Sequence, residues 1–197
     1  MAGLDPLLHA LDLVPTPSGF VGTSVPHGGQ VVFGGQLLGQ AVVAAARTMA
    51  PMEVHTVQML FARGASMADD LVFDVDPIGS GRSFGSVTVT VRQGDRLCAR
   101  ASVLCHVPDP DLVRYDARPP AGAPPADLPA RGHEPWWDVR YDASVDIDDP
   151  AVTGPPTLAV WTRFPDAPDD PVTSQALLAY ASDGFLIATA MRPHPGI

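Results

Sequence analysis

Asp183 is the carboxylate whose surroundings in the sequence make it a candidate for chemistry. It falls inside an apolar stretch, Gln175–Ala190, that reads as a helix. Its neighbours three and four residues away are Ala179, Tyr180, Leu186 and Ile187, none of which can neutralise it. A carboxylate on such a stripe is costly unless something rewards it, so Asp183 is a candidate general base or water-orienting group. The plainer alternative is an Asp turned to solvent, or one capping a kink beside Gly184. A second candidate is the run Gly79-Ser80-Gly81-Arg82-Ser83-Phe84-Gly85. Consecutive backbone N–H groups there can hold an anionic or amide group, with Arg82 supplying charge. Its alternative is a flexible hairpin connection. The spacing is not that of a dinucleotide fingerprint, and the Lys of a phosphate-binding P-loop is missing. Gly34-Gly35 open a helix whose first N–H groups can stabilise a developing oxyanion.

Other chemistries find little support. His55 and Gln58 lie on a predicted strand, where a lone histidine is ordinarily structural. No histidine sits at metal-ligand spacing from cysteines or carboxylates, so neither a metal nor any other cofactor is expected. No G-x-S-x-G elbow is present, which removes the usual serine-esterase route. Ser182 beside Asp183 is not a nucleophile–base pair, because adjacent helix residues diverge. Cys98 and Cys105, an odd number apart on one strand, point to opposite faces and are expected as reduced thiols in a cytoplasmic protein.

These residues need elements to position them. Gln36–Met49 reads as a helix between Gly34-Gly35 and Pro51, apolar on nearly every face and therefore buried. Gly39 and the alanines keep it thin, with Gln36, Gln40 and Arg47 on one stripe. Four strands follow, at 54–62, 71–78, 86–92 and 97–107, the third alternating Val87, Val89 and Val91 with Ser86, Thr88 and Thr90. Gln93-Gly94-Asp95 is the predicted turn between the last two. A buried helix followed by a meander of strands predicts an α+β domain, an antiparallel sheet curled around the helix.

Eleven of the 22 prolines lie in residues 108–156, which marks that segment mainly as a linker. Short strands are expected at 136–142 and 157–164, then the second apolar helix, capped by Thr173 or Ser174. The formal charge of −10 argues against nucleic-acid binding. All twelve basic residues are Arg and there is no Asn. No signal peptide or membrane-spanning stretch is expected.

Val32-Phe33-Gly34-Gly35-Gln36, His55-Thr56-Val57-Gln58 with Phe61, Gly81-Arg82-Ser83-Phe84 and Leu178-Ala179-Tyr180-Ala181-Ser182-Asp183 together resemble the type II, TesB-like acyl-CoA thioesterases. The resemblance covers roughly residues 5–195. It implies two fused hotdog folds and hydrolysis of fatty acyl-CoA to free acid and coenzyme A. The implied division is an N-terminal hotdog at 1–108, a Pro-rich linker at 109–135 and the start of a second hotdog at 136–197. It implies acyl-CoA as the partner, bound through Gly34, Gly35, Gln36, Gly81, Arg82, Ser83 and Phe84, and a homo-oligomer. In this family a water is held by an Asp, a Thr and a Gln. The Asp matches Asp183, while the other two would lie beyond Ile197, so the chain is expected to stop within its second hotdog and, made alone, to be weakly stable or associated and nearly inactive toward acyl-CoA. The alternatives are a non-catalytic acyl-CoA binder on the same fold and an assembly module. A hotdog hydratase is excluded by the missing Asn.

Overall fold

The computed structural model describes residues 3–26, 29–110, 113, 115, 122–131, 134, 136–142, 147, 149 and 151–196. These gather into two compact units that interleave along the chain. One holds Asp5–Pro110 with Ala167–Ala181; the other holds Met1–Leu4, Asp111–Asp166 and Ser182–Ile197.

At the centre of the first unit is the apolar helix, α2, Gly34–Met49. It begins at Gly34, two residues earlier than its apolar periodicity predicted, and stops at Ala50, whose ψ of 136° is the extended geometry forced by the following proline. Ala41, Ala44 and Ala45 are completely buried, so the sheet approaches α2 almost to its backbone. The long strands are β3 (Glu53–Phe61), β4 (Leu71–Ser80), β5 (Phe84–Gln93) and β6 (Arg96–His106). Their inward residues Phe73, Val87, Val89, Val91, Ala101 and Val103 are fully buried, as period-two alternation demands. Each buried Val or Phe side chain contributes about 1.5–3 kcal/mol. Gly94, at φ 56°, makes the β5–β6 turn a place for glycine.

Three short elements escaped the periodicity: α1 (Asp5–Leu11), β1 (Val14–Thr16) and β2 (Gly19–Gly22). They extend the sheet to the order β1-β2-β4-β5-β6-β3, antiparallel at every pairing. The expected meander therefore holds for β4-β5-β6 only. β3 bypasses β4 and pairs with β6, which leaves it an edge strand among the described residues. α2 touches α1 and strands β2 to β6. A sheet wrapped around one central helix is the expected hotdog fold.

The second apolar helix departs from expectation. It is α3, Pro171–Ser182, and a separate short α4, Leu186–Met191. The break falls at Asp183-Gly184-Phe185, where two poor helix formers adjoin. The cap is Asp170 rather than Thr173 or Ser174: its Oδ2 accepts the Thr173 N–H at 2.7 Å, and Pro171 occupies the first helical position.

In the second unit β7 (Asp138–Arg140) and β8 (Trp161–Arg163) pair antiparallel, each only three residues long. Pro155 and Pro156 keep the preceding chain out of the ladder. Phe164 stacks with both Trp136 and Trp137, at centroid distances of 6.2 and 5.9 Å.

Candidate active site

α2 opens without a side-chain cap, and the N–H groups of Gln36 and Leu37 turn back to the Phe33 carbonyl at 3.0 and 3.4 Å. The Gly34 and Gly35 N–H groups keep no partner among the described residues. With the helix dipole behind them they suit a developing oxyanion.

α3 packs antiparallel on this end of α2. Gly35 abuts the carbonyl of Tyr180, and Gly39, one turn on, abuts that of Ala176. A Cβ at Gly35 would overlap the Tyr180 oxygen and stand 2.5 Å from the Phe33 ring; at Gly39 it would stand 2.9 Å from the Ala176 oxygen. Glycine four residues apart therefore lets two backbones meet. The contact is closed by an edge-on Phe33–Tyr180 pair, centroids 5.0 Å apart, and anchored at the other end by Gln175 Nε2 donating to the Val54 carbonyl at 3.0 Å. In the sequence Tyr180 stands out only as a neighbour of Asp183 and as part of the 178–183 motif, and Ala176 not at all. The Gly35–Gly39 spacing was the available signal, but it names no partner.

Gln36 lies close to these glycines, but its side chain faces the interior, 1% exposed. Its Oε1 accepts the Val25 N–H at 2.9 Å, and its Nε2 donates to the Thr23 carbonyl at 3.0 Å and to Gln40 Oε1 at 3.1 Å. Gln40 Nε2 in turn donates to Ala10 and Thr23. The two amides fasten α1 and the chain after β2 onto α2, which occupies Gln36 fully.

Gly81, Arg82, Ser83 and Phe84 are exposed at the tip of the β4–β5 hairpin. The loop is tighter than predicted: β4 runs to Ser80, β5 starts at Phe84, and the Gly81 N–H donates to the Phe84 carbonyl at 2.7 Å. One of the N–H groups expected to cradle an anion is thus consumed, leaving the Arg82 guanidinium and the half-exposed Phe84 ring. Gly85 beyond it rests on Met49, the last residue of α2, and Met52. The hairpin thus lies at the opposite end of α2 from Gly34-Gly35, and within this unit the two sets are separated by a 16-residue helix, about 24 Å long.

Asp183 sits just past α3, half-buried, in the second unit. His55 is exposed and edge-on to His106, centroids 5.0 Å apart. Among the described residues no group of three or more His, Cys, Asp or Glu could hold a metal. Cys98 and Cys105 are buried and free, and burial pushes the Cys105 thiol pKa up. No described helix is long and apolar enough to cross a membrane. Arg47, bound to the Leu13 carbonyl at 2.7 Å and to Asp12 at 2.9 Å, borders a cavity of about 390 Å³ whose apolar walls include Leu8, Leu11, Val43 and Val172.

A family profile described as acyl-CoA thioesterase N-terminal domain matches residues 21–106. The chain is similar to acyl-CoA thioesterase 2 of Haemophilus influenzae, 26% identical over 97% of this chain and 74% of that one. A solved acyl-CoA thioesterase II, TesB2 of Mycobacterium marinum, is 30% identical across 96% of this chain and 71% of its own, with a TM-score of 0.75. The tesB protein of Mycobacterium avium subspecies paratuberculosis superposes at a TM-score of 0.80 with 27% identity, covering 98% and 75%.

Proposed function

Since the chain belongs to the type II, TesB-like acyl-CoA thioesterases, we propose that it hydrolyses fatty acyl-CoA to free fatty acid and coenzyme A, with Asp183 orienting the attacking water. The observation that carries the site is the antiparallel seat of α3 on α2. It brings Tyr180 to the uncapped glycines that open α2, while the role of Asp183 rests on the 178–183 motif that resembles the family's.

In this reading water adds through oxygen to the thioester carbonyl carbon while passing a proton to the Asp183 carboxylate. The Gly34 and Gly35 N–H groups are the oxyanion donors that the first unit offers. When the C–S bond breaks, its electron pair leaves with the coenzyme A sulfur, which takes the proton back. Gln36 serves through its backbone and by fixing the segment at Thr23–Val25. Gly81, Arg82, Ser83 and Phe84 contribute to substrate binding through the exposed guanidinium and ring. Two free thiols suit a reducing compartment, so the protein is read as cytoplasmic. The place of β3 at the sheet edge among the described residues supports homo-oligomeric assembly.

The test is thiol release from a medium-chain acyl-CoA by the wild type and Asp183→Asn, with melting temperatures alongside. Loss of a positioned base should lower kcat by about 10²–10⁴-fold with the melting temperature held. Unchanged turnover removes Asp183 from the chemistry. Retention of acyl-CoA by the wild type without thiol release replaces the hydrolase with a binding protein.

A further inference from the structure

The second unit holds a cavity that the reaction above does not use. It measures about 510 Å³ and is lined by Pro125, Asp138, Arg140, Trp161, Thr162 and Arg163, among others. That volume falls within the range of about 300–1,000 Å³ typical of small-molecule sites.

Its polar wall is built rather than incidental. Asp138 lies between two guanidinium groups: Arg140 Nε donates to its two oxygens at 2.9 and 3.2 Å, and Arg163 Nη2 donates at 3.2 Å. Arg140 Nη1 is further fixed by the carbonyls of Pro125 and Leu128, at 3.2 and 3.1 Å. One carboxylate against two guanidinium groups leaves a local excess of one positive charge, in a chain whose formal charge is −10. Arg140 Nη2 and the Nε and Nη1 of Arg163 remain open donors among the described residues. The flat wall is Trp161, which is 44% exposed and has its indole N–H tied to the Ala123 carbonyl at 3.2 Å. The ring is thus held at its edge while part of its surface stays open.

An arginine pair sharing one carboxylate, beside an exposed indole, suits a ligand with a planar heteroaromatic ring and a phosphate. Arginine forks bind phosphate oxygens in pairs, and any nucleobase can stack on an indole. Resting on the thioesterase reading above, we propose that this cavity takes the 3′-phosphorylated adenosine end of acyl-CoA. The purine lies on Trp161, and the phosphate meets the open donors of Arg163 and Arg140. An acyl-pantetheine, which carries the same thioester without the nucleotide, has nothing to place there.

The experiment titrates adenosine 3′,5′-bisphosphate calorimetrically into the full chain and into Arg163→Ala, Arg163→Lys, Trp161→Ala and Arg82→Ala, with melting temperatures to confirm folding. It also compares kcat/KM for acyl-CoA and acyl-pantetheine. Binding by the wild type, weakened about tenfold or more in Arg163→Ala and in Trp161→Ala, is expected. Arg163→Lys should recover part of it, because the charge survives and the fork does not. The preference for acyl-CoA over acyl-pantetheine should shrink by a similar factor in Arg163→Ala. Hydrolysis by a wild type that binds no bisphosphate overturns this site and leaves the thioesterase reading standing. Bisphosphate binding lost with Arg163, in a chain that hydrolyses neither thioester, sinks the thioesterase reading instead. Affinity lost in Arg82→Ala but kept in Arg163→Ala moves the nucleotide to the β4–β5 hairpin and overturns the proposal.

Discussion

Replacing Gln36 by methionine keeps the side-chain volume nearly constant and removes every hydrogen bond the amide makes. Two buried groups then lose their partners: the Val25 N–H, which now donates to Oε1 at 2.9 Å, and Gln40 Oε1, which now accepts at 3.1 Å. The Thr23 carbonyl keeps Gln40 Nε2 at 3.0 Å and is not orphaned. A buried polar group left unpaired costs about 1–3 kcal/mol. The greater apolar burial of methionine offsets part of that, so the total is about 2–4 kcal/mol. For a chain of this size that is a fall of roughly 5–15 °C in melting temperature. Urea unfolding followed by circular dichroism measures it, as a lower midpoint at an unchanged slope. Gln40→Met should cost a similar amount. In the double variant the Gln36–Gln40 bond is no longer counted twice, but the Thr23 carbonyl loses both of its donors, so the double should cost about the sum of the singles. A Gln36→Met protein within about 0.5 kcal/mol of wild type, but with a raised KM for acyl-CoA, would refute the reasoning and turn this amide toward substrate.

Gly39→Ala places a methyl 2.9 Å from the Ala176 carbonyl oxygen and should cost about 1–2 kcal/mol after the helix-propensity gain; Gly35→Ala meets the Tyr180 carbonyl and the Phe33 ring more closely and should cost about 3 kcal/mol. Chemical denaturation orders the two, and an equal or reversed order would mean that α3 is not seated in this notch. The Asp170 carboxyl is held below its usual range by the Thr173 hydroxyl and backbone N–H, with Arg47 adding attraction. A depressed folded pKa contributes stability above the unfolded value, near 4, and loses it as pH falls through the folded one. Asp170→Ala should therefore cost about 1 kcal/mol at pH 7, and the gap to wild type should close in acid. A gap that stays constant from pH 7 to pH 2.5 removes the charged cap.

Local patterns made α2, the alternation in β4 to β6 and the turn at Gly94 legible in the amino-acid order, because apolar period and chain punctuation act over a few residues. Those patterns, with four short motifs, were enough to indicate a hotdog fold and a thioesterase family. Tertiary structure decided what depends on residues far apart. β3 precedes β4 in the chain yet pairs with β6, since pairing is chosen by how the sheet closes around α2 and not by sequence order. β1 and β2 are too short for periodicity to register, and they become strands only because β4 offers an edge. Gln36 and Gln40 read as a polar stripe on an apolar helix, and only the return of residues 10–25 over α2 shows that they face inward. Gly35 and Gly39 are simple helix glycines until the carbonyls of Tyr180 and Ala176, about 140 residues on, give them a reason to lack side chains. A side chain's identity is local, whereas its partner is set by the path of the whole chain.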